Sequence, residues 1–287
     1  MRARVLRTPE ELRISRAGTW GLVPTMGALH AGHLTLIARA AAENDVALVS
    51  IFVNPSQFGS ESDLARYPRD LERDIAKASS AGASIIYAPD AATVYPPGFS
   101  TWVEPGPLAV AWEGKSRPGH FRGVATVVAI LLNSVRPDRS YFGEKDYQQL
   151  QVIRRMHRDL QLPGSIVSSP TVRDLDGLAL SSRNARLSSD GRATASCIPL
   201  ALADMVAAAG DETNSPSDLE DIGRRVLVRP GLSIDYLAVV DAETLEPAAT
   251  IQRPCRVLLA ADVEGVRLID NVALPLRPGE TEGQPAV

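Results

Sequence analysis

The sequence predicts an α/β protein: a parallel sheet covered by helices over residues 1–175, then a smaller α+β region over 176–275. Three observations carry that expectation. Short apolar segments alternate with helix-period segments, the connections are short, and after residue 187 helices come first and strands second. Residues 20–25 form a short apolar strand, and 31–44 have the spacing of a helix. Residues 46–53, rich in Val and Ile and apolar on both sides, read as a buried strand of a parallel sheet. A helix over 68–82 and a strand over 84–88 follow. Next come an apolar helix over 124–135, a strand over 139–142, a helix over 147–160 and a strand over 165–168. Pro96, Pro97 and Gly98, then Pro105, Gly106 and Pro107, mark loops between these units. Such alternation is Rossmann-like. In the second region 193–209 and 219–228 read as helices, and 233–240, 255–261 and 266–269 as strands. Residues 276–287, rich in Pro, Gly and Glu, read as a loose tail.

With 287 residues the chain can bury one large core or two moderate ones. A net charge of −4 argues against a nucleic-acid face built from bulk positive charge, and no basic cluster with interleaved aromatics occurs. The longest apolar run, 124–132, is too short to cross a bilayer and no signal peptide opens the chain, so no membrane partner is expected. Cys197 and Cys255 stand apart without metal-ligand spacing and read as core thiols in a reducing cytoplasm. Of thirty basic side chains only three are lysine, namely Lys77, Lys115 and Lys145. A chain that uses arginine almost everywhere marks its lysines as places where a compact ammonium is wanted.

The most informative stretch is Pro24-Thr-Met-Gly-Ala-Leu-His-Ala-Gly-His33, directly after the first apolar strand. His30 and His33 fall in the first turn of the following helix, where unpaired amides and the helix dipole favour anions. Gly27 permits a sharp turn, and Gly32 removes a side chain where a nucleotide would lie close. The stretch resembles the His-x-Gly-His signature of the nucleotidyl-transferring α/β superfamily.

Further groups fall where strands end, which is where open parallel sheets bind ligands. Asn54 and Gln57 follow the strand over 46–53 and suit a small acid bearing a hydroxyl, although a capped turn would use the same amides. Lys145 lies just past the strand over 139–142, with Gln149 one helical turn further on. Arg117 and Arg122, in the glycine-punctuated loop before the apolar helix, could meet phosphate. Ser181, Ser182 and Arg183, in the glycine-flanked segment joining the two regions, could clamp a polyphosphate and move with it.

Together these stretches, with Arg267-Leu-Ile-Asp-Asn271 near the end, resemble the pantothenate synthetase (pantoate–β-alanine ligase) family over nearly the whole chain. That resemblance implies a two-step reaction in which pantoate is adenylated by ATP and the acyl group then passes to β-alanine, releasing AMP and pyrophosphate. His33, His30, Lys145 and Arg183 would be catalytic. Met26, Gly27 and Gly32 would join the two histidines around ATP, as would Gly143, Glu144, Lys145 and Asp146. Val172 would read the adenine, and Leu180, Ser181, Ser182 and Arg183 would complete the nucleotide site. Gln57 and Gln149 would hold pantoate and β-alanine, with Asn54 supporting. Magnesium would be held mainly by phosphate oxygens, with Asp74 as a protein ligand. The family implies a cytoplasmic homodimer.

Two other classes use similar residues. An adenylyltransferase would stop at its adenylylated product, but the paired glutamines facing a small acid argue against it. A noncatalytic nucleotide-binding regulator would not need His30, His33, Lys145 and Arg183 intact together.

Overall fold

The computed structural model describes residues 2–15, 17–211 and 214–275, apart from the side chain of Asp63. The expected tail over 276–287 lies outside them. The chain divides into two compact units, the first Met1–Val172 and the second beginning at Arg173.

In the first unit six parallel strands form one sheet: β1 (Arg4–Leu6), β2 (Trp20–Thr25), β3 (Val46–Ile51), β4 (Ile85–Tyr87), β5 (Arg139–Gly143) and β6 (Ser165–Ser169). Their order is β1-β4-β3-β2-β5-β6. Leu22, Val23, Leu48, Val49 and Ile86 are inaccessible to solvent, as expected for a parallel sheet with both faces covered. The helices are α1 (Pro9–Ser15), α2 (Ala31–Glu43), α3 (Glu61–Arg66), α4 (Leu71–Ser80), α5 (Ala91–Val94), α6 (Glu113–Ser116), α7 (His120–Val135) and α8 (Tyr147–Asp159).

Strand β1 and helix α1 fall outside the sequence expectation. The strand has three residues, too few for a periodic signal. The helix does carry a signal in Thr8-Pro9-Glu10-Glu11. Glu11 accepts the Arg7 and Thr8 amides at 2.6 and 3.1 Å, Thr8 Oγ1 accepts the Glu11 amide, and Pro9 opens the helix. The helix expected over 68–82 starts later, because Asp70 caps it through the Arg73 amide. Helix α7 starts at His120, earlier than expected.

The second unit packs α9 (Ser189–Ala195), α10 (Cys197–Ala209) and α11 (Pro216–Leu227) with an antiparallel sheet. Its strands, in the order β7-β8-β9, are β7 (Leu232–Asp241), β8 (Cys255–Val263) and β9 (Val266–Ala273). Their core joins Ile198, Leu202 and Met205 to Leu237, Val257 and Leu259. The one helix expected over 193–209 is two, meeting at Ser196. Taken together, residues 189–209 reach the length and apolarity needed to cross a membrane, longer than the run judged from sequence; Ala195, Ile198, Ala201, Leu202 and Met205 place this segment in a protein core.

The boundary lies after Val172 rather than after residue 175. Arg173 makes a two-pronged ion pair with buried Asp270 of β9, at 2.6 and 3.0 Å, and Arg192 of α9 binds Asp174 and Asp176. Residues 173–179, at the start of the segment read as joining the two regions, turn back on themselves as a short hairpin of the second unit.

Candidate active site

Strand order reverses between β2 and β5, and a crevice at such a switch point is where doubly wound sheets bind ligands. The chain leaves β2 through a tight turn in which Gly27 and Ala28 both have positive φ, +79° and +52°. A Cβ on Gly27 would stand 2.8 Å from Asp74 Oδ2, so glycine is required there for space as well as backbone freedom. Asp74, buried in α4, accepts the Ala28 and Leu29 amides at 2.8 Å each. One turn further along α4, Lys77 donates to the Leu29 carbonyl at 2.5 Å. The turn is thus clamped from beneath by a carboxylate and an ammonium.

That clamp delivers His30 and His33 to the start of α2. Their ring centroids lie 4.0 Å apart, and the His30 amide reaches His33 Nδ1 at 3.4 Å. Burial, then the neighbouring His30, pushes the His33 pKa down to about 3. Burial and the Lys145 ammonium lower that of His30 as well. Both shifts favour neutral rings at pH 7. His30 Nδ1 is buried with no hydrogen-bond partner among the described residues. Gly32 also leaves room for imidazole, because a Cβ there would stand 3.1 Å from the His30 ring.

Lys145 and Asp146 follow β5 in a short 3-10 turn, Glu144–Asp146, with 3.3 Å between ammonium and carboxylate. The field of Asp146 reaches His30, His33 and His120, where it opposes the fall in their pKa values. A Cβ on Gly143 would meet nothing within 4 Å.

Beyond β3, Asn54 is almost wholly buried and fully used. Its Nδ2 donates to Gln57 Oε1 at 3.0 Å and to the Gly123 carbonyl at 3.1 Å; its Oδ1 accepts from Ser56 and, at 2.7 Å, from the Tyr95 hydroxyl. Every polar atom of its side chain is thus engaged within the protein, which fits a supporting place beside Gln57. Its effect is to turn the Gln57 amide so that Nε2 stays uncommitted. The expected phosphate loop also has another task. Arg117 and His120 both grip the Gln57 carbonyl, while Arg122 lies over the Trp102 ring and pairs with Glu104.

Gln148 and Gln149 separate sharply. Gln148 is buried and clamps the loop before α7 through Leu108, Ala111 and Glu113. Half-buried Gln149 spends neither of its amide atoms on the described residues. Val172 closes the first unit; upstream of it, Arg39 of α2 donates to the Ser168 carbonyl at 2.7 Å. In the second unit, Leu180 and Ser181 follow the hairpin, and Ser182 and Arg183 open a 3-10 turn, Ser182–Arg186. Ser181 Oγ accepts the Arg183 amide at 3.2 Å, and the guanidinium makes no hydrogen bond among the described residues.

The family model for pantoate-beta-alanine ligase matches residues 3–273. The chain belongs to that family. A pantothenate synthetase from Rhizorhabdus wittichii is 49% identical over 268 residues, covering 93% of this chain and 95% of the relative. Among solved structures, pantothenate synthetase from Thermus thermophilus superposes with a TM-score of 0.89 at 49% identity, covering 94% of this chain and 98% of that one. A pantoate-beta-alanine ligase from Francisella tularensis, crystallised with beta-gamma ATP and beta-alanine, gives a TM-score of 0.77 at 36% identity and covers 94% and 97%. Members of this family are ATP-dependent ligases that form pantothenate, and so is this chain.

Within the ligase, Asp74, the expected magnesium ligand, spends one acceptor site of each carboxylate oxygen on the Ala28 and Leu29 amides. No cluster of three or more His, Cys, Asp or Glu side chains suited to a metal occurs among the described residues. Sequence reasoning missed the roles of Lys77, His120 and Tyr95. Lys77 left a trace as one of three lysines, and His120 as one of four histidines, in the loop that carries Arg117 and Arg122.

Proposed function

We propose that the ligase joins pantoate to β-alanine through a pantoyl adenylate formed at the ends of β2, β3 and β5. A pantoate carboxylate oxygen attacks the α-phosphorus of ATP, and the bond to the bridging oxygen breaks to release pyrophosphate. The β-alanine amine then attacks the acyl carbon; the bond to AMP breaks, and the nitrogen gives up its proton. One observation carries this reading. Two neutral imidazoles and an ammonium meet at the switch point, while Gln57 and Gln149 keep amide groups uncommitted.

In this reading His30 and His33 donate N–H groups to the α- and β-phosphates, and Lys145 follows charge from the α- to the γ-oxygens. Met26, Gly27 and Gly32 bring backbone close to the nucleotide, as do Gly143, Glu144 and Asp146. The backbone of Val172 reads adenine. Leu180, Ser181, Ser182 and Arg183 are assigned to the outer phosphates on the chemistry of hydroxyls and an uncommitted guanidinium. Gln57 and Gln149 take the pantoate carboxylate and hydroxyls, and Asn54 orients Gln57. Magnesium enters on the phosphate oxygens of the nucleotide substrate.

The buried, unpaired thiols of Cys197 and Cys255 support a reducing cytoplasm. The family resemblance supports a homodimer, which light scattering would test. The deciding experiment incubates the protein with ATP, pantoate and β-alanine. AMP and pyrophosphate are expected, with pyrophosphate–ATP exchange that needs pantoate but not β-alanine. Formation of ADP and orthophosphate would replace the adenylate with an acyl phosphate.

A further inference from the structure

Gln57 is gripped at its backbone as well as at its side chain, and the backbone grip is chemically selective. His120 Nδ1 lies 2.9 Å from the Gln57 carbonyl, and His120 Nε2 lies 3.3 Å from Arg117 Nη1. A carbonyl can only accept and a guanidinium can only donate. The ring must therefore carry its proton on Nδ1 and present a lone pair at Nε2. It is neutral, in one tautomer. The Gln57 turn is also seated against α7, where a Cβ on Gly123 would stand 2.5 Å from the Ser56 carbonyl oxygen.

We propose that His120, held as the Nδ1–H tautomer by Arg117, is a positioning residue that sets the Gln57 amide for the pantoate carboxylate. The proposal rests on the reading that Gln57 binds pantoate. Protonation of His120 would place an N–H against the Arg117 guanidinium and break the arrangement. Arg117 opposes that protonation, whereas Asp146 from the turn after β5 and Glu113 of α6 favour it. Burial, with Arg117, outweighs the Gln57 carbonyl and both carboxylates and holds the pKa down to about 4, so the grip persists through neutral pH.

Steady-state kinetics on the full-length ligase test this, with pantoate and ATP varied separately. His120→Ala and His120→Gln lack a donor at the Nδ1 position and should raise the pantoate KM about tenfold, the effect of one buried hydrogen bond. Saturating kcat and the ATP KM should stay near wild type. His120→Asn, whose amide nitrogen can take the place of Nδ1, should recover most of the pantoate KM. In Arg117→Met the acid-side rise of the pantoate KM should begin at higher pH than in wild type. A wild-type pantoate KM in His120→Ala, or no recovery in His120→Asn, overturns the role of His120. Equal damage to kcat and both KM values would mark a merely structural histidine and overturn it too. Gln57→Ala separates the two readings: a pantoate KM unchanged there removes Gln57 from the pantoate site, whatever His120 does.

Discussion

The imidazole rings of His30 and His33 lie 4.0 Å apart, centroid to centroid, with their planes tilted by 43°. Charging both rings at that distance inside a partly dry site is unfavourable, and burial already holds His33 near pKa 3. The pair therefore supplies hydrogen-bond donors whose state does not change around neutral pH. Folding keeps His33 neutral, whereas the unfolded chain takes up its proton near the ordinary value of about 6.5. Its contribution to stability is complete above that value and is lost as pH falls toward 3. Urea melts at about pH 7, 5.5 and 4.5 should show declining stability, with a shallower decline in His33→Gln. An equal decline in that variant would shift the cause to other groups.

His33→Ala or Lys145→Ala should cut adenylate formation roughly a hundredfold or more, the usual effect of removing a preorganised donor. Lys145→Arg should not restore it, because a planar fork reaches differently from an ammonium. Capture of supplied pantoyl adenylate by β-alanine should fall much less. Pyrophosphate–ATP exchange at the wild-type rate in either alanine variant would take that residue out of the first step.

Asp74→Asn should destabilise the chain by roughly 2–3 kcal/mol and weaken ATP binding, since an amide NH2 would face backbone N–H groups. The magnesium concentration that half-saturates the reaction should not move. If that concentration rises strongly while stability and ATP affinity hold, Asp74 is a metal ligand and the clamp is incidental.

The adjacent glutamines should part company. Gln148→Ala strands the buried Glu113 amide and should lower the melting temperature with little change in the pantoate KM. Gln149→Ala should leave stability alone and weaken pantoate binding, with ATP affinity nearly intact. Calorimetric titration of each ligand, beside thermal melts, separates these outcomes; similar behaviour of the two variants would contradict the assignment.

Arg183→Ala should raise the ATP KM without lowering the melting temperature, because the guanidinium makes no hydrogen bond among the described residues. Asp270→Ala should do the reverse, leaving Arg173 without its partner inside the second unit. An Arg183→Ala protein with unchanged ATP kinetics would remove that residue from the nucleotide site.

The sequence alone determined which chemistry the chain carries and where along it. Alternating apolar strands and periodic helices are local signals, so the parallel sheet, its main helices and the positions of His30, His33, Gln57, Lys145 and Gln149 could be read from it. Tertiary structure decided what each polar group is free to do. Asn54 and Gln57 are equally plausible ligands in the sequence, as are Gln148 and Gln149. Only folding saturates one member of each pair and leaves the other with uncommitted atoms. Asp74 reads in the sequence only as a possible metal ligand; folding also brings the Ala28 and Leu29 amides, distant in the chain, onto its oxygens. The same long-range pairing moved the unit boundary, since Arg173 meets Asp270 across 97 residues. Hydrogen-bond saturation depends on partners distant in sequence, and no local pattern encodes it.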